Sequence, residues 1–596
     1  MAAIGSRLLQ NWKLIFTIVL PLVLLPLLFI EYEDAAICKT ASNHGPSNVA
    51  FKAAYVILIV AIFWMVEALP LAVTSLLPLV LFPFLGVRDS SSVSASYMKE
   101  TNAMFLGGLI IALAVEYCNL HRRIALRVMT IIGSSPIRLM AGIMLTTMFL
   151  SMWMSNTATA AMMVPIVLAI VDELHNTPVA TDRPEGGNSS KRPSKQMSLE
   201  MGAEFASTNQ LTSQQSLEDL ELEAKLIKNK KMYMFAVAYS ANIGGTGVIT
   251  GTGPNLVFQD VIKNVDVGQN GKYLDMTFAT WMAFNVPGML LNIFVAFVYL
   301  TFQFHGVPNW RYWPLISLCS KKRTLNSEEQ IERVREEKVA KLLMSEYRKL
   351  GPMTFHEMGV GFVFFTTVML WLFRDPRFMP GWDEQIEGAE IGDATAAMLG
   401  VMLLFIIPKD LSFILGTAKP GKTPEALLDW KFIQKNLPWG VVLLLGGGFA
   451  LSDSSDASRL SCWIGQQLAN LDSLPNPVIL IIVMVLTALV TEVCSNVATA
   501  NVILPILLTL SRSLGIHPLY LTVPATVTCS YAFMLPVATP PNAIVFAAGD
   551  LRIRDMVKAG AFLNLSCTIV FFLVNISYGE LLFNYSGYIY ENATAF

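Results

Sequence analysis

Apolar runs long enough to cross a lipid bilayer recur along the whole chain, and no water-soluble packing buries so many of them. They occupy residues 14–29, 51–69, 71–85, 105–117, 232–258, 278–304, 360–373, 394–407, 441–451, 520–545 and 559–583. A helix needs about 20 mostly apolar residues to traverse the hydrocarbon. Composition agrees. Hydrophobic residues make up 54% of the chain and charged ones 14%, against about 25% charged in ordinary soluble domains. Mean hydropathy is +0.53. The expected fold is an all-α polytopic membrane protein with about 11 transmembrane helices. The net charge of −2 says little, because the charges are segregated into loops.

The first run follows Arg7 and Lys13, as in a signal peptide, but "EYEDAAICK" follows it instead of a small-residue cleavage site. It reads as a retained first helix. There are seven cysteines, and Cys118, Cys494, Cys529 and Cys567 lie in apolar segments without paired spacing. Neither a disulfide framework nor a zinc site is expected.

Two polar blocks interrupt the pattern. Residues 172–231, with "TDRPEGGNSSKRPSKQ", are charged and Ser-rich and read as flexible. Residues 310–351 carry "EEQIERVREEKVAKLLMSEYRKL", a charged helix with little apolar face. Both blocks are rich in Lys and Arg, as is "HRRIALR" at 121–127, whereas the linkers around Cys38, Val267 and Asp383 are not. The basic excess puts the amino terminus and both blocks in the cytoplasm. Counting crossings then places the carboxyl terminus outside, with the glycosylation sequons Asn584-Tyr-Ser586 and Asn592-Ala-Thr594. Asn188-Ser-Ser190 falls on the cytoplasmic side and reads as chance.

The chain also repeats itself. "FLGGLIIAL" at Phe105 and "LLGGGFAL" at Leu444 align on Gly108 and Gly448. The interval from Gly108 to Ser155 equals that from Gly448 to Ser495, and Pro165 and Pro505 follow at the same spacing. Downstream, "GTGPNLVF" pairs with "ATPPNAIVF", but the first copy is longer by about the size of the polar block that starts at Asp172. Crossing parity makes the copies inverted, an arrangement that builds midplane binding sites in secondary transporters.

Each copy carries a polar tripeptide inside an apolar stretch, "SMWMSNTATAAMMVPI" at 151–166 and "TEVCSNVATANVILPI" at 491–506. Backbone that leaves helical geometry within the bilayer must be buried in protein or line a wet cavity. Residues 136–172 are too few for two crossings with a proper turn, so the chain is expected to enter partway and return. Two re-entrant hairpins follow, with Ser155-Asn156-Thr157 and Ser495-Asn496 at their tips. Gly-Thr-Gly-Pro-Asn and Ala-Thr-Pro-Pro-Asn break two further spans, and Thr252, Asn255, Thr539 and Asn542 supply oxygens and amides there. Ser and Thr in membrane helices often bond back to their own carbonyls, and Asn often glues helices together. Recurrence at equivalent positions in both copies favours a binding site.

Helix N-termini hold small anions, while carbonyls and hydroxyls hold small cations. None of the four breaks contains Arg or Lys. An anion there is held by dipoles, Asn and Thr groups and captured cations, because burying a bare dianion costs several kcal/mol per charge. Sodium coupling is therefore expected.

"SNTATAAMMVPI", "SNVATANVILPI", "IGGTGVITGTGPN" and "LPVATPPNAIVF" resemble the divalent-anion/sodium symporters, solute carrier family 13, which includes animal di- and tricarboxylate carriers and the insect I'm-not-dead-yet transporters. "EALPLAVTSLLPLVLFPFLG", "VEYCNLHRRIALRV" and "PWGVVLLLGGGFAL" extend the similarity over nearly the whole chain, apart from the polar loops. The resemblance implies a plasma-membrane homodimer in which a transport domain moves against a scaffold as an elevator. It implies one sodium site at Ser151, Ser155, Asn156 and Gly253, and another at Thr491, Cys494, Asn496 and Ala538. Substrate carboxylates would meet Asn156, Thr157, Ser495, Asn496 and Thr539. Val497 stands where the bacterial pattern has threonine, as in animal carboxylate carriers, and Cys494 replaces a small residue whose part is played by backbone. The sulfate branch has proline at the Val497 position and lacks Gly-Pro after Thr252, which favours carboxylates. "GTGPN" is similar to the citrate branch.

On this reading residues 1–134 form scaffold helices, 135–173 the first hairpin, 174–231 a cytoplasmic loop and 232–305 transport-domain helices. Residues 306–354 form a cytoplasmic segment, 355–474 further scaffold, 475–513 the second hairpin, 514–583 transport-domain helices and 584–596 an extracellular tail. Glu67, Glu116 and Glu492 lie near or within apolar spans, and Glu492 adjoins the second tip. Gly446-Gly447-Gly448 lacks the Lys-Ser/Thr of a phosphate loop and reads as close helix packing. His121, His175, His305, His356 and His517 lack ligand spacing, and no acid–base or nucleophile constellation marks an enzyme. The function expected is sodium-coupled uptake of Krebs-cycle di- and tricarboxylates, with no organic cofactor and no nucleic-acid partner. Sodium-independent exchange, sulfate carriage and an anion channel are the alternatives.

Overall fold

The computed structural model describes residues 12–31, 48–175, 201–263, 276–306, 327–377, 379–386, 391–410, 425–468 and 473–587. The described elements are helical: α1 (Trp12–Leu24), α2 (Val49–Val66), α3 (Leu71–Thr74), α4 (Leu77–Phe84), α5 (Ser90–Ser96), α6 (Glu100–Tyr117), α7 (Leu120–Ile132), α8 (Pro136–Trp153), α9 (Asn156–His175), α10 (Met201–Gly244), α11 (Gly253–Ile262) and α12 (Phe278–His305). After these come α13 (Ser327–Lys349), α14 (Phe355–Arg374), α15 (Asp393–Ile406), α16 (Trp430–Asn436), α17 (Trp439–Ala457), α18 (Leu460–Leu468), α19 (Asn476–Thr491), α20 (Asn496–Ser513), α21 (Pro518–Thr528), α22 (Pro540–Ala548), α23 (Ile553–Val574) and α24 (Glu580–Phe583). Elements α5 to α12 recur in order as α16 to α23, so the internal repeat is a repeat of structure. The register extends to single residues. Asn119 before α7 and Arg459 before α18 both hold left-handed backbone, at φ 60° and 61°.

Among the described residues, eight helices are long and apolar enough to cross a membrane, or nine if the bent pair α16–α17 is one span. The eleven expected spans differ because glycine and proline divide some runs. Runs 71–85 and 394–407 give only shorter apolar helices, and runs 232–258 and 520–545 are cut between α10 and α11 and between α21 and α22. The first hairpin also differs from expectation. Its arms, α8 and α9, each pass the length test, because the turn between them takes only Met154 and Ser155. A shortage of residues therefore does not force a re-entrant path there.

Residues 232–249 and 516–533 are buried without interruption. The end of α10, all of α21 and the segments after them thus run through the centre of the protein, where α8, α9 and α12 surround the first and α19, α20 and α23 the second. Non-helical backbone can lie at membrane depth only with such shielding.

The three glycines of α17 permit close packing, as the sequence suggests. A Cβ on Gly446 would lie 2.6 Å from Tyr97, one on Gly447 2.7 Å from the Ser75 carbonyl, and one on Gly448 2.1 Å from Asn501.

Residues 201–231, expected to belong to a loop, form the first part of α10. Cys462 is disulfide-bonded, although the cysteine spacing predicts none, and Cys118, Cys494, Cys529 and Cys567 are free. Helix α13 follows the charged block as expected, yet buries Val339 and Leu343 against its neighbours. Arg122 pairs with Glu346. Buried Arg123 grips Glu357 at 2.8 Å and the carbonyls of Leu350 and Gly351 at the end of α13. Lys349 and then Arg122 hold the Glu346 carboxyl below its ordinary range. Asn592 and Asn188 lie outside the described residues, and Asn584 is exposed.

Candidate functional site

The two tips are built alike. At the first, Ser155 Oγ accepts from the Ala158 N–H at 3.2 Å and caps α9. Ser151 Oγ lies 2.6 Å from Asn156 Oδ1 and 2.7 Å from the Ala241 carbonyl oxygen. At the second, Thr491 Oγ1 lies 2.9 Å from Asn496 Oδ1 and 2.6 Å from the Cys529 carbonyl oxygen. A hydroxyl has one proton to donate. With the amide oxygens turned toward it, each hydroxyl satisfies one oxygen and faces the other without a proton. Three oxygens closing on one proton form an electron-rich seat for a hard cation, and hydroxyl, amide and carbonyl oxygens are the donors such ions take.

The breaks are also a matched pair. Asn255 Nδ2 donates to the carbonyls of Gly245 and Val248 at 3.1 and 2.7 Å. Asn542 Nδ2 donates to those of Ala532 and Leu535 at 2.9 and 3.0 Å. Each Asn reaches back from the first turn of its helix and fixes the unwound segment before it. Both are fully buried, so their amides serve the protein's own carbonyls, whereas the sequence alone suggested a direct role at the break.

Tips and breaks interlock across the repeats. Helix α9 packs on α22, and α11 on α20. A Cβ on Gly245 would lie 2.7 Å from Asn156 Oδ1, and one on Gly253 2.4 Å from Val497 Cγ2. Both tips therefore abut the first break, one at the segment between α10 and α11 and the other at the first residue of α11. Asn242 Nδ2 crosses to the second break, 3.2 Å from Thr539 Oγ1. Four helix N-termini, those of α9, α11, α20 and α22, belong to this cluster, and residues 151–158, 241–256, 491–498 and 532–543 contain no Lys, Arg or His. Positive potential there comes from helix termini and from any bound cation.

Depth sorts the predicted residues. Ser155, Asn156, Ser495 and Asn496 are half-buried and Thr157 is exposed, whereas Ser151, Gly253, Thr491, Cys494, Ala538 and Thr539 are buried. Thr539 Oγ1 caps α22. The carbonyls of Ala241 and Cys529 were missed, since backbone oxygens leave no residue-type signal.

Glu492 is the one acidic side chain at the tips. Its carboxylate, 2% exposed, accepts from the N–H groups of Phe533, Met534 and Leu535 at 2.7 to 3.1 Å and from Asn564 Nδ2 at 2.6 Å. It anchors the second break from behind, and Met152 holds the corresponding place in the first repeat. Three histidines serve structure. His121 and His356 meet the carbonyls of Val115 and Leu427, and His517 Nδ1 caps α21. A cavity of about 470 Å³, lined by Glu100, Gln259, Lys263, Arg374 and Asp393 among others, lies away from the tips.

Paired broken helices and tip hairpins in a duplicated helical chain define a polytopic membrane transporter. The sodium:sulfate symporter transmembrane-region model matches residues 34–585, and the chain belongs to that family. The Na(+)/citrate cotransporter of Rattus norvegicus is 42% identical over 95% of this chain and 94% of its own length. Solute carrier family 13 member 2 of Homo sapiens is 39% identical over 98% and 96%. The Na(+)/dicarboxylate cotransporter 3 of Mus musculus is 37% identical over 98% and 94%.

Proposed function

We propose that the chain couples sodium entry to uptake of Krebs-cycle di- and tricarboxylates, succinate and citrate among them, across the plasma membrane. The observation that carries this reading is the pair of matched oxygen seats, Ser151–Asn156–Ala241 O and Thr491–Asn496–Cys529 O. Sodium in each seat neutralises the crowded oxygens and leaves the Asn156 and Asn496 amide N–H groups, the Thr157 hydroxyl and the helix N-termini to bind carboxylates. Sequence similarity to relatives named for citrate and dicarboxylates supports this substrate class. Val497 and the Gly-Pro after Thr252 favour it over sulfate.

In this reading the hairpins 135–173 and 475–513, with segments 232–305 and 514–583, form the transport domain. Residues 1–134 and 355–474 form the scaffold of a homodimer, and substrate crosses as an elevator with the chain's amino terminus in the cytoplasm. The test is uptake of labelled succinate and citrate by cells expressing the chain, with sodium replaced by choline. Uptake should fall to background. Undiminished uptake would leave a sodium-independent exchanger, and sulfate-competed uptake would replace the substrate class.

A further inference from the structure

The last turn of α10 carries two consecutive residues that serve opposite halves of the site. Ala241 offers its carbonyl oxygen to the Ser151 hydroxyl of the first tip at 2.7 Å. Asn242, fully buried, points its amide at the second repeat, 3.2 Å from Thr539 Oγ1 and 3.3 Å from Asn542 Oδ1. These two partners give the second break its form. Thr539 caps α22, and Asn542 pins the carbonyls of Ala532 and Leu535. Asn242 Oδ1 has no hydrogen-bond partner, so only the donor end of this side chain is engaged. The link runs one way. In the second repeat the seat carbonyl belongs to Cys529, and the residue after it is Ser530, whose buried hydroxyl bonds to nothing.

We infer that Asn242 is a positioning residue that couples the cation seat of the first repeat to the substrate-facing break of the second. The inference rests on the sodium–carboxylate reading above. Ala241 and Asn242 share one helical turn, so a cation that draws the Ala241 carbonyl toward Ser151 and Asn156 moves the Asn242 amide with it. Asn242 Nδ2 also lies 3.5 Å from the Ala532 carbonyl oxygen, and all three of its bonds sit at or beyond the long end of the usual range of about 2.7–3.2 Å. A displacement of a few tenths of an ångström thus tightens or frees them. The cap of α22 and the facing Thr539 hydroxyl respond, and sodium at one seat sets substrate affinity at the other half of the site.

The test is binding of labelled succinate to the purified full-length protein with and without saturating sodium, in wild type, Asn242→Ala and Asn242→Ser. Couplings between sites typically amount to about 5–150-fold in affinity, and wild type should show a sodium effect of that order. Both variants should show less than about 2-fold, while sodium alone still raises their melting temperature. A residue of merely structural importance would weaken both ligands and leave the ratio unchanged, and that result overturns the inference. If Asn242→Ala fails to fold, Asn242→Ser alone decides. If sodium leaves wild-type affinity and melting temperature unchanged, the sodium-coupled reading itself falls and takes this inference with it.

Discussion

Asn156 and Asn496 each lend an oxygen to a hydroxyl on the preceding helix, and that bond decides which way the amide N–H groups point. On the proposed sodium–carboxylate reading, replacing either by Ala removes a cation ligand and an oriented donor together. Asn156→Ala and Asn496→Ala should each abolish uptake while surface biotinylation stays near wild type. Normal uptake by Asn156→Ala would remove the site from this location. Gly253 gives a sharper test. A methyl there would press on Val497 Cγ2, and overpacking of this kind costs about 1–3 kcal/mol. Gly253→Ala should lose most uptake, and Val497→Ala in the same chain should restore part of it. These side chains were legible in the sequence because polar residues stand out in apolar runs. The oxygens of Ala241 and Cys529 were not, because any residue can present a carbonyl. Nor did Asn255 and Asn542 disclose from composition that their amides staple their own backbone.

At the scale of elements, the breaks persist because their exposed backbone groups are bonded one by one. Glu492 alone takes three N–H groups and the Asn564 amide. Glu492→Leu would leave these buried donors unpaired at about 1–3 kcal/mol each. The variant should melt well below wild type, whereas Glu492→Gln, which keeps an acceptor, should fall between the two. Arg123 does similar work at the end of α13. Arg123→Ala leaves Glu357 buried without its partner, at about 3–5 kcal/mol, and should expose the end of α13 to protease. The sequence marked α13 as a charged helix, but its docking to α7 depends on residues more than 200 positions apart, which no local pattern records.

At the scale of the molecule, the duplication was readable from equal spacings between glycines, tips and prolines, and it fixed the order of sixteen helices. The number of crossings was less legible, since it depends on where each break falls. The repeats are not equal in charge. Lys99 bridges Asp260 of α11 at 2.9 Å and Asp453 of α17 at 2.7 Å, while the corresponding positions Ala547, Leu113 and Trp439 carry no charge. If α11 moves against α6 and α17 as an elevator requires, this bridge parts in each cycle. A chain with Lys99→Cys and Asp260→Cys, joined by a short bifunctional thiol reagent, should stop transporting and recover when the link is cleaved. Full uptake with the link intact would mean that these helices never separate.

One tip uses a serine and the other a threonine. The extra methyl of Thr491 restricts its rotation about χ1, so its oxygen is held ready beside the Cys529 carbonyl, whereas the Ser151 hydroxyl must give up more rotational freedom to serve. The two receptacles are therefore unequal in preparation. If both hold sodium, as proposed, the threonine one should fill at lower ion concentration, and Thr491→Ser should raise the sodium concentration at which the melting temperature begins to climb.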